Sequence, residues 1–414
     1  MEEQLRGART LILAEGAYPG KRPRTRAHPY TAPMLRAGAA LSTLPDAKAA
    51  AIEAAEAALA GVGERADSAF LFATSDYGDE IPVLLDTAIA CLGTDAIVGA
   101  CAHGVLACGL ERETGTAVAV IAQAGLPVHP FLLEDLRGDE SDAGEQIAGQ
   151  LGGPARPEDL VVLFPDPRVL HAAPLLEGVE RALAPARIVG AGAGDPVSHP
   201  SLQWCGRRLG SGSLAGMVLR GSKRPRVGVT QACRPATEWL TVTRCQGHWL
   251  RELDGRPALE VYREAALGPL AADLGRAAEF LLVAIPAAPD SCLGPGGYRV
   301  RNVMGFEPDA NAFAISEQVP VGSRIALVIR DSEAARDDLK AMLAGIGGAP
   351  AMGLYFNCCA RGAEFFGVSG LESAYLEQAF GSAPVAGMFG SCEIGPIGES
   401  TELLTYTGVL ALLD

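Results

Sequence analysis

Hydrophobic runs of two kinds alternate along the chain. Short runs of β-branched and aromatic residues predict buried strands, and longer alanine-rich stretches with helical spacing predict helices. The segments Asp46–Ala60, Ile81–Cys91 and Ala172–Leu183 predict helices, the first of which ends at Gly61. The strands predicted in the same part of the chain are Phe70–Ala73, Ala96–Gly99, Ala117–Ala122, Leu160–Phe164 and Ile188–Gly190. Such alternation is typical of an α/β protein.

A weak internal repeat runs through this pattern. A strand enters a polar loop, a helix follows, and a second strand then reaches a glycine. This order is that of a βαβ unit, and its recurrence predicts duplicated modules. The corresponding pairs of positions are Phe72 and Gly99, Leu163 and Gly190, and Tyr355 and Gly387.

The segment Leu219–Arg226 is polar, carries Gly and Pro, and separates two apolar strands, as is typical of a domain boundary. We therefore predict a flexible segment at 1–30 and domains at 31–220 and 221–414, since 414 residues exceed one ordinary core. The predicted fold class is α/β, with two domains of mixed β-sheets flanked by helices and built from the repeated units. In the second domain, Ser332 is predicted to cap a helix that ends at Gly345.

Charge and composition limit the expected partners and the expected location of the protein. A net charge of −15 repels phosphate backbones, so nucleic acid is not an expected partner. No apolar run reaches about 18 residues, which predicts no membrane span. The acidic start Met1–Leu5 does not resemble a signal peptide, so a cytoplasmic location is expected. Ten cysteines are too sparse for a disulfide scaffold and are expected to be thiols.

The clearest candidate chemistry lies in the last sixty residues. Two segments, Gly353–Gly362 and Pro384–Gly398, each run from an apolar strand into a glycine-bearing loop with one strong charge, Arg361 or Glu393. An arginine fork and a carboxylate facing one cavity would suit a small zwitterion such as an amino acid. A structural ion pair between the two charges is the alternative. Both interpretations place them close together.

Neighbouring polar and glycine residues complete the predicted ligand site. Arg301 with Asn302 could add hydrogen bonds to a ligand carboxylate, and His103 could be a polar group of the pocket. Cys358 and Cys359 are adjacent, and one of them could be a reactive thiolate if Arg361 lowers its pKa. The alternative is that both thiols are packed in the core. No metal is expected, because Cys101, His103 and Cys108 match no standard zinc spacing. The full predicted set is Arg361, Glu393, Asn357, Cys358, Cys359, Arg301, Asn302, His103, Gly362 and Gly395.

Motifs spread over most of the chain resemble the FIST family. From Ser68 to Leu219 the chain is similar to a FIST N-terminal domain, and from Val227 onward to a FIST C-terminal domain. The first set of motifs is Thr74–Asp76, Ile97–Gly104 and Glu111–Ala122. The second is Glu252–Tyr262, Tyr298–Gly305, Val319–Ser323, Asn357–Gly362 and Glu393–Pro396.

The resemblance implies a sensory module that binds a small ligand, such as an amino acid or a small carboxylate. No output domain is recognised in the chain, so the resemblance implies signalling through a separate protein, such as a histidine kinase. Some relatives bind haem and sense nitric oxide; here His248 is a candidate ligand, and no other cofactor is expected. A cysteine-dependent enzyme, with Cys358 or Cys359 as nucleophile and His103 as base, is a further alternative. The commonest hydrolase signatures are missing from the sequence, which favours binding over catalysis.

Overall fold

A computed structural model describes residues 34–194, 201–266 and 268–414, and the predicted flexible segment 1–30 lies outside them. The helices of the described residues are α1 (Ala47–Ala60), α2 (Ile81–Leu92), α3 (Ala143–Ala148), α4 (Ala172–Leu183), α5 (Ala258–Ala265), α6 (Leu274–Phe280), α7 (Ser332–Ile346), α8 (Ala363–Phe366) and α9 (Leu371–Phe380). None of these helices is long and apolar enough to cross a membrane.

The strands of the same residues, in chain order, are β1 (Arg36–Ser42), β2 (Ser68–Thr74), β3 (Ile97–Ala102), β4 (Gly104–Ala107), β5 (Leu110–Arg112), β6 (Val118–Ala124), β7 (Val128–Leu133), β8 (Asp159–Pro165), β9 (Arg187–Ala191), β10 (Gln203–Cys205), β11 (Arg208–Gly210), β12 (Leu214–Arg220), β13 (Arg226–Gln231), β14 (Cys233–Pro235), β15 (Leu240–Gln246), β16 (Trp249–Leu253), β17 (Arg256–Pro257), β18 (Leu281–Pro286), β19 (Tyr298–Arg301), β20 (Val303–Glu307), β21 (Ala312–Ile315), β22 (Arg324–Arg330), β23 (Met352–Cys358), β24 (Val385–Gly390), β25 (Glu393–Ile397), β26 (Ser400–Leu404) and β27 (Thr407–Leu413).

Local capping sets the helix ends. The Asp46 carboxylate accepts a 2.7 Å hydrogen bond from the Ala49 amide, and α1 ends at Gly61, as predicted. The prediction for helix α7 was wrong at both ends. Its cap is Asp331, whose carboxylate accepts two backbone hydrogen bonds of 3.0 Å, rather than Ser332. The helix also continues through Gly345 to Gly347, whose positive φ of 72° ends it.

Three βαβ units recur, which confirms the predicted repeat. The parallel strand pairs are β2 with β3, β8 with β9, and β23 with β24, and each pair is joined through helix. We call residues 36–124 the first repeat, 128–220 the second repeat, and 226–231 with 332–413 the third repeat. Residues 233–330 are inserted into the third repeat, and their described part forms a nine-stranded antiparallel sheet.

The repeats exchange hairpins in a closed cycle. The β4–β5 hairpin of the first repeat pairs with β24, the β10–β11 hairpin of the second with β3, and the β25–β26 hairpin of the third with β9. Within the described residues this gives three six-stranded sheets, with orders β1-β6-β2-β3-β10-β11, β7-β12-β8-β9-β25-β26 and β13-β27-β23-β24-β4-β5. Each sheet therefore takes four strands from one repeat and two from another.

The recurring glycines have a common steric cause. In each parallel pair, a Cβ on the glycine of the second strand would overlap the carbonyl oxygen of the residue facing it on the first strand. Only a residue without a Cβ allows the two backbones to approach this closely. The facing residues are Gly99 and Leu71, Gly190 and Leu163, and Gly387 and Tyr355.

A phenylalanine follows the facing residue in every repeat, and the three rings meet in the core. The ring centroids are 5.4 Å apart for Phe72 and Phe164, 5.7 Å for Phe164 and Phe356, and 6.3 Å for Phe72 and Phe356. Their planes are inclined by 68–89°, the edge-to-face geometry that aromatic rings favour. The three repeats therefore share one hydrophobic centre.

The prediction of an α/β fold with mixed sheets is confirmed. The boundary between 31–220 and 221–414 stays a prediction. It lies between β12 and β13, where the second repeat gives way to the third, and the pairing of β4 with β24 crosses it.

Candidate functional site

The loops that follow the three second strands meet at one place. In each repeat a residue that follows the second strand within three positions donates its amide to a carbonyl of another repeat, and these bonds form a cycle. The bonds are His103 N to Phe389 O at 3.0 Å, Gly194 N to Cys101 O at 3.0 Å, and Ser391 N to Gly192 O at 3.2 Å. The cycle therefore joins His103 to the segment Pro384–Gly398, whose Glu393 and Gly395 were predicted to share a site with it.

The third repeat brings both predicted loop segments to its end. Strand β23 carries Asn357 and Cys358, and Cys358 lies opposite Gly390 at the end of β24. Glu393 begins β25 three residues later. Parallel strands end at the same edge of a sheet, which is where α/β proteins place their ligands. The segments 357–362 and 391–395 are therefore neighbours.

Arg361 forms an ion pair, but not with the predicted partner. Its Nε lies 3.2 Å from Oε1 of Glu372, and its Nη2 makes a closer contact with the same oxygen. Both side chains are fully buried. Nη1 makes a longer contact of 3.4 Å with the carbonyl oxygen of Tyr406. The structure therefore assigns the ion pair to Glu372, where the sequence pointed to Glu393.

Glu372 collects donors from two more side chains. The Tyr355 hydroxyl donates to its Oε2 at 3.2 Å, and Asn357 Nδ2 donates to the same oxygen. Sequence reasoning missed this residue. The signal was present, because Glu372 shares the apolar face of α9 with Leu376 and Phe380, where a charge needs a partner. Asn357 Oδ1 is buried and has no hydrogen-bond partner among the described residues.

Glu393 is fully buried beside this network. Its Oε2 accepts hydrogen bonds from the Thr407 hydroxyl at 2.7 Å and the Thr407 amide at 3.3 Å. Its Oε1 has no partner in the described part of the chain. Burial, with the Cys358 sulfur nearby, raises the pKa of Glu393 well above its usual range. The raised pKa favours the neutral carboxyl, which can both donate and accept a hydrogen bond.

Three thiols lie around these residues. Cys359 is exposed, whereas Cys358 and Cys392 are buried. A hydrogen bond between Cys358 and Cys359 lowers the pKa of Cys359 and, with burial, raises the pKa of Cys358. Burial and the neighbouring Glu393 raise the pKa of Cys392 to about 12. The expected activator, Arg361, is not the cause of the lowered pKa; the adjacent thiol is.

Carboxylates from the first repeat hold the loop that carries Arg361. Glu113 Oε1 and Oε2 accept the Ala363 amide at 2.9 and 3.0 Å. Glu111 accepts the Gly370 amide and the Ser373 hydroxyl, the latter at 2.9 Å. A Cβ on Gly362 would overlap the Glu113 carboxylate. Gly362 therefore permits this close approach, whether or not a ligand also uses it.

Tyr406 connects the predicted Arg301–Asn302 pair to the network. Its hydroxyl donates to Asn302 Oδ1 at 2.7 Å, and its carbonyl oxygen faces Arg361. Arg301 itself binds Glu317 at 2.6 Å and the Leu403 carbonyl at 3.2 Å. Asn302 is therefore adjacent to the site, while the Arg301 charge is already paired.

The remaining candidates lie at its margin or outside it. A Cβ on Gly395 would come within 3.0 Å of Val409, so this glycine serves packing. His248 is exposed at the turn between β15 and β16, with Nδ1 2.9 Å from the Ile315 carbonyl oxygen, in the inserted sheet. No three histidine, cysteine or acidic side chains of the described residues are grouped as a metal site.

Comparison with known proteins gives the family. The FIST N domain matches residues 67–256 and the FIST C domain matches residues 258–396. An uncharacterised protein of Mycobacterium tuberculosis (strain H37Rv) is 31% identical over 385 residues, which cover 91% of this chain and 99% of that protein. An uncharacterised protein of Mycobacterium bovis is 30% identical over 400 residues, covering 91% and 98%. The chain belongs to the FIST family of sensory domains.

Proposed function

We propose that this FIST protein binds a small molecule with both an amine and a carboxylate, such as an amino acid, at the end of the third repeat. Binding then alters a separate signalling protein, such as a histidine kinase. One observation carries the proposal: Asn357 Oδ1 and Glu393 Oε1 are buried polar atoms without partners among the described residues. Each such atom costs about 1–3 kcal/mol, which a ligand with matching groups recovers.

The chemistry of these atoms indicates the ligand class. Asn357 Oδ1 needs a donor, which an ammonium group supplies. The raised pKa of Glu393 favours the protonated carboxyl, which can donate to a ligand carboxylate. Arg361 Nη1 makes only a long contact with Tyr406, so it is the Arg361 donor most easily turned toward a ligand. Recovering about 2–6 kcal/mol from two atoms is comparable with the 4.1 kcal/mol of millimolar binding.

Ligand entry requires a local movement. Asn357 and Glu393 are buried, whereas Cys359, two residues after Asn357, is exposed. We therefore expect the short segment Cys359–Gly362 to move when the ligand enters. The residue after its C-terminal end, Ala363, donates its amide to the Glu113 carboxylate of the first repeat, so movement of the segment would reach the β4–β5 hairpin.

Thermal unfolding of the full chain with each amino acid, acetate and succinate tests the proposal. At least one compound should raise Tm in a saturable manner, because ligand at 100 times its Kd adds about 2.7 kcal/mol of stability. Glu393→Met should weaken binding at least about tenfold, while Glu393→Gln, which keeps a neutral donor and acceptor, should retain most of it.

The exposed Glu364→Gln variant is the matched control and should bind as the natural chain does. If no compound produces a saturable rise, or if Glu393→Met binds as tightly as the natural chain, the site is not a receptor for this class. Circular dichroism verifies that Glu393→Met is folded before its affinity is compared.

A second function is favoured by one observation: Cys359 is the exposed member of the thiol group and carries the lowered pKa. This thiol would respond to oxidants or electrophiles, so the same loop could take a chemical input in place of a bound ligand. The labelling experiment described in the Discussion separates the two functions.

A further inference from the structure

A polar cavity of about 210 Å³ lies away from the end of the third repeat. It is bounded by the end of α4, the start of β9, the turn of the β25–β26 hairpin and the segment that links β12 to β13. The second and third repeats meet here, because the hairpin belongs to the third repeat and β9 to the second. The volume is well above that needed for a single water.

Two arginines line this cavity, and the positive charge of one acts on that of the other. Arg187 is the first residue of β9, and Arg224 is exposed on the linking segment. The Nε of Arg187 is buried and has no hydrogen-bond partner in the described part of the chain. Burial and the neighbouring Arg224 both lower the pKa of Arg187, so the local field disfavours its charge. Two neighbouring positive charges without a counter-ion favour the binding of an anion between them.

The two carboxylates on the cavity wall do not neutralise these arginines. Glu180 Oε1 accepts both the amide and the hydroxyl of Thr401, at 3.0 and 3.2 Å. Glu399 is exposed on the hairpin turn. Among the described residues, neither forms an ion pair with Arg187 or Arg224.

We propose that Arg187 and Arg224 form a binding site for a small oxyanion, a phosphate or carboxylate group carried on a compact molecule. The planar guanidinium groups match the oxygens of either anion. An anion bound here would bridge the linking segment to β9 and so clamp the second repeat against the hairpin of the third.

The test uses the full chain and two probes, inorganic phosphate and succinate. Each is titrated against sodium chloride at matched ionic strength while Tm and binding heat are recorded. We expect a saturable rise in Tm with at least one probe, which identifies the anion class. Arg224→Gln, at an exposed position, should weaken the Kd at least about tenfold. Glu399→Gln should strengthen it, because a negative charge leaves the wall.

The control is Arg244→Gln, an exposed arginine of the inserted sheet that is paired with Glu252. It should leave the titration unchanged. The proposal is overturned if neither probe gives a saturable effect beyond chloride. It is equally overturned if Arg224→Gln and Arg244→Gln respond alike, since the anion then binds elsewhere. Arg187→Gln, if folded, must abolish the response.

Discussion

The guanidinium of Arg361 is neutralised by the carboxylate of Glu372, eleven residues later in the chain, and both groups are excluded from solvent. This pair organises the end of the third repeat, because Tyr355 and Asn357 also donate to Glu372. A buried charge without its partner is costly, so the pair is a sensitive point of the fold.

Replacing Glu372 by Gln should destabilise the protein by about 3–5 kcal/mol, since Arg361 is left charged and buried without a counter-ion. Urea unfolding at neutral pH measures the effect. Gln378→Ala, on the exposed face of the same helix, should change stability by less than about 0.5 kcal/mol. The double variant Arg361→Met with Glu372→Met should regain more than half the loss. An equally unstable double variant would show that the charge is not the cause.

Gly387→Ala should unfold the chain or cost more than about 3 kcal/mol, because the new methyl group would overlap the Tyr355 carbonyl oxygen. Gly345→Ala is a control of opposite sign. That glycine is exposed inside α7 with open space around its Cβ position, so alanine should stabilise by up to about 1 kcal/mol. Thermal and urea unfolding compare them; a tolerated Gly387→Ala would contradict the close strand contact.

Stability should depend on pH through Glu393. Its folded pKa is raised above the unfolded value of 4.5, so the folded state keeps the proton while the unfolded state loses it. The contribution is fully present below pH 4.5 and falls by about 1.4 kcal/mol per pH unit as pH rises toward the folded pKa. Glu393→Gln should therefore be more stable than the natural chain at pH 7–8, with a difference that shrinks toward pH 4.5.

Glu364→Gln, at an exposed site, supplies the baseline for that comparison. Urea unfolding at half-unit pH intervals gives both curves. Parallel curves for Glu393→Gln and the natural chain would mean that Glu393 ionises in the folded protein at the same pH as in the unfolded one.

Cys359 should react with iodoacetamide faster than any other thiol at pH 7. It is exposed and its pKa is lowered, whereas Cys108 is exposed with a pKa that burial raises. Mass spectrometry of a labelling time course ranks the sites. Cys292, also exposed, is the internal reference. Equal rates at Cys359 and Cys292 would remove the case for a reactive thiol. Cys358→Ala should slow Cys359, because it removes the hydrogen bond that lowers its pKa.

Local signals in the sequence predicted much of the fold. Caps and periodicity fixed α1 to within a residue, and the spacing of glycines revealed the three βαβ units. The exchange of hairpins left no such signal. Residues 104–107 pair with 386–389, and nothing near either segment in the sequence specifies a partner so distant.

The candidate site was likewise predictable only in part. Adjacent positions such as Asn357 and Cys358 could be placed together because they share a strand end. The partner of Arg361 could not, since Glu393 and Glu372 are both acidic and only the packing of α9 decides between them. Tyr406 was missed because its hydroxyl and its backbone carbonyl contact Asn302 and Arg361, which are distant from it in the sequence.

The last strand, Thr407–Leu413, lies between β13 and β23 and pairs with both. It is the last of the six strands of this sheet in chain order. During synthesis, β13 and β23 lack their shared neighbour until β27 is made, and the β4 hairpin of the first repeat lacks its partner until β24 is made. The nascent chain therefore carries open strand edges for most of its synthesis, a period in which a chaperone is expected to protect it.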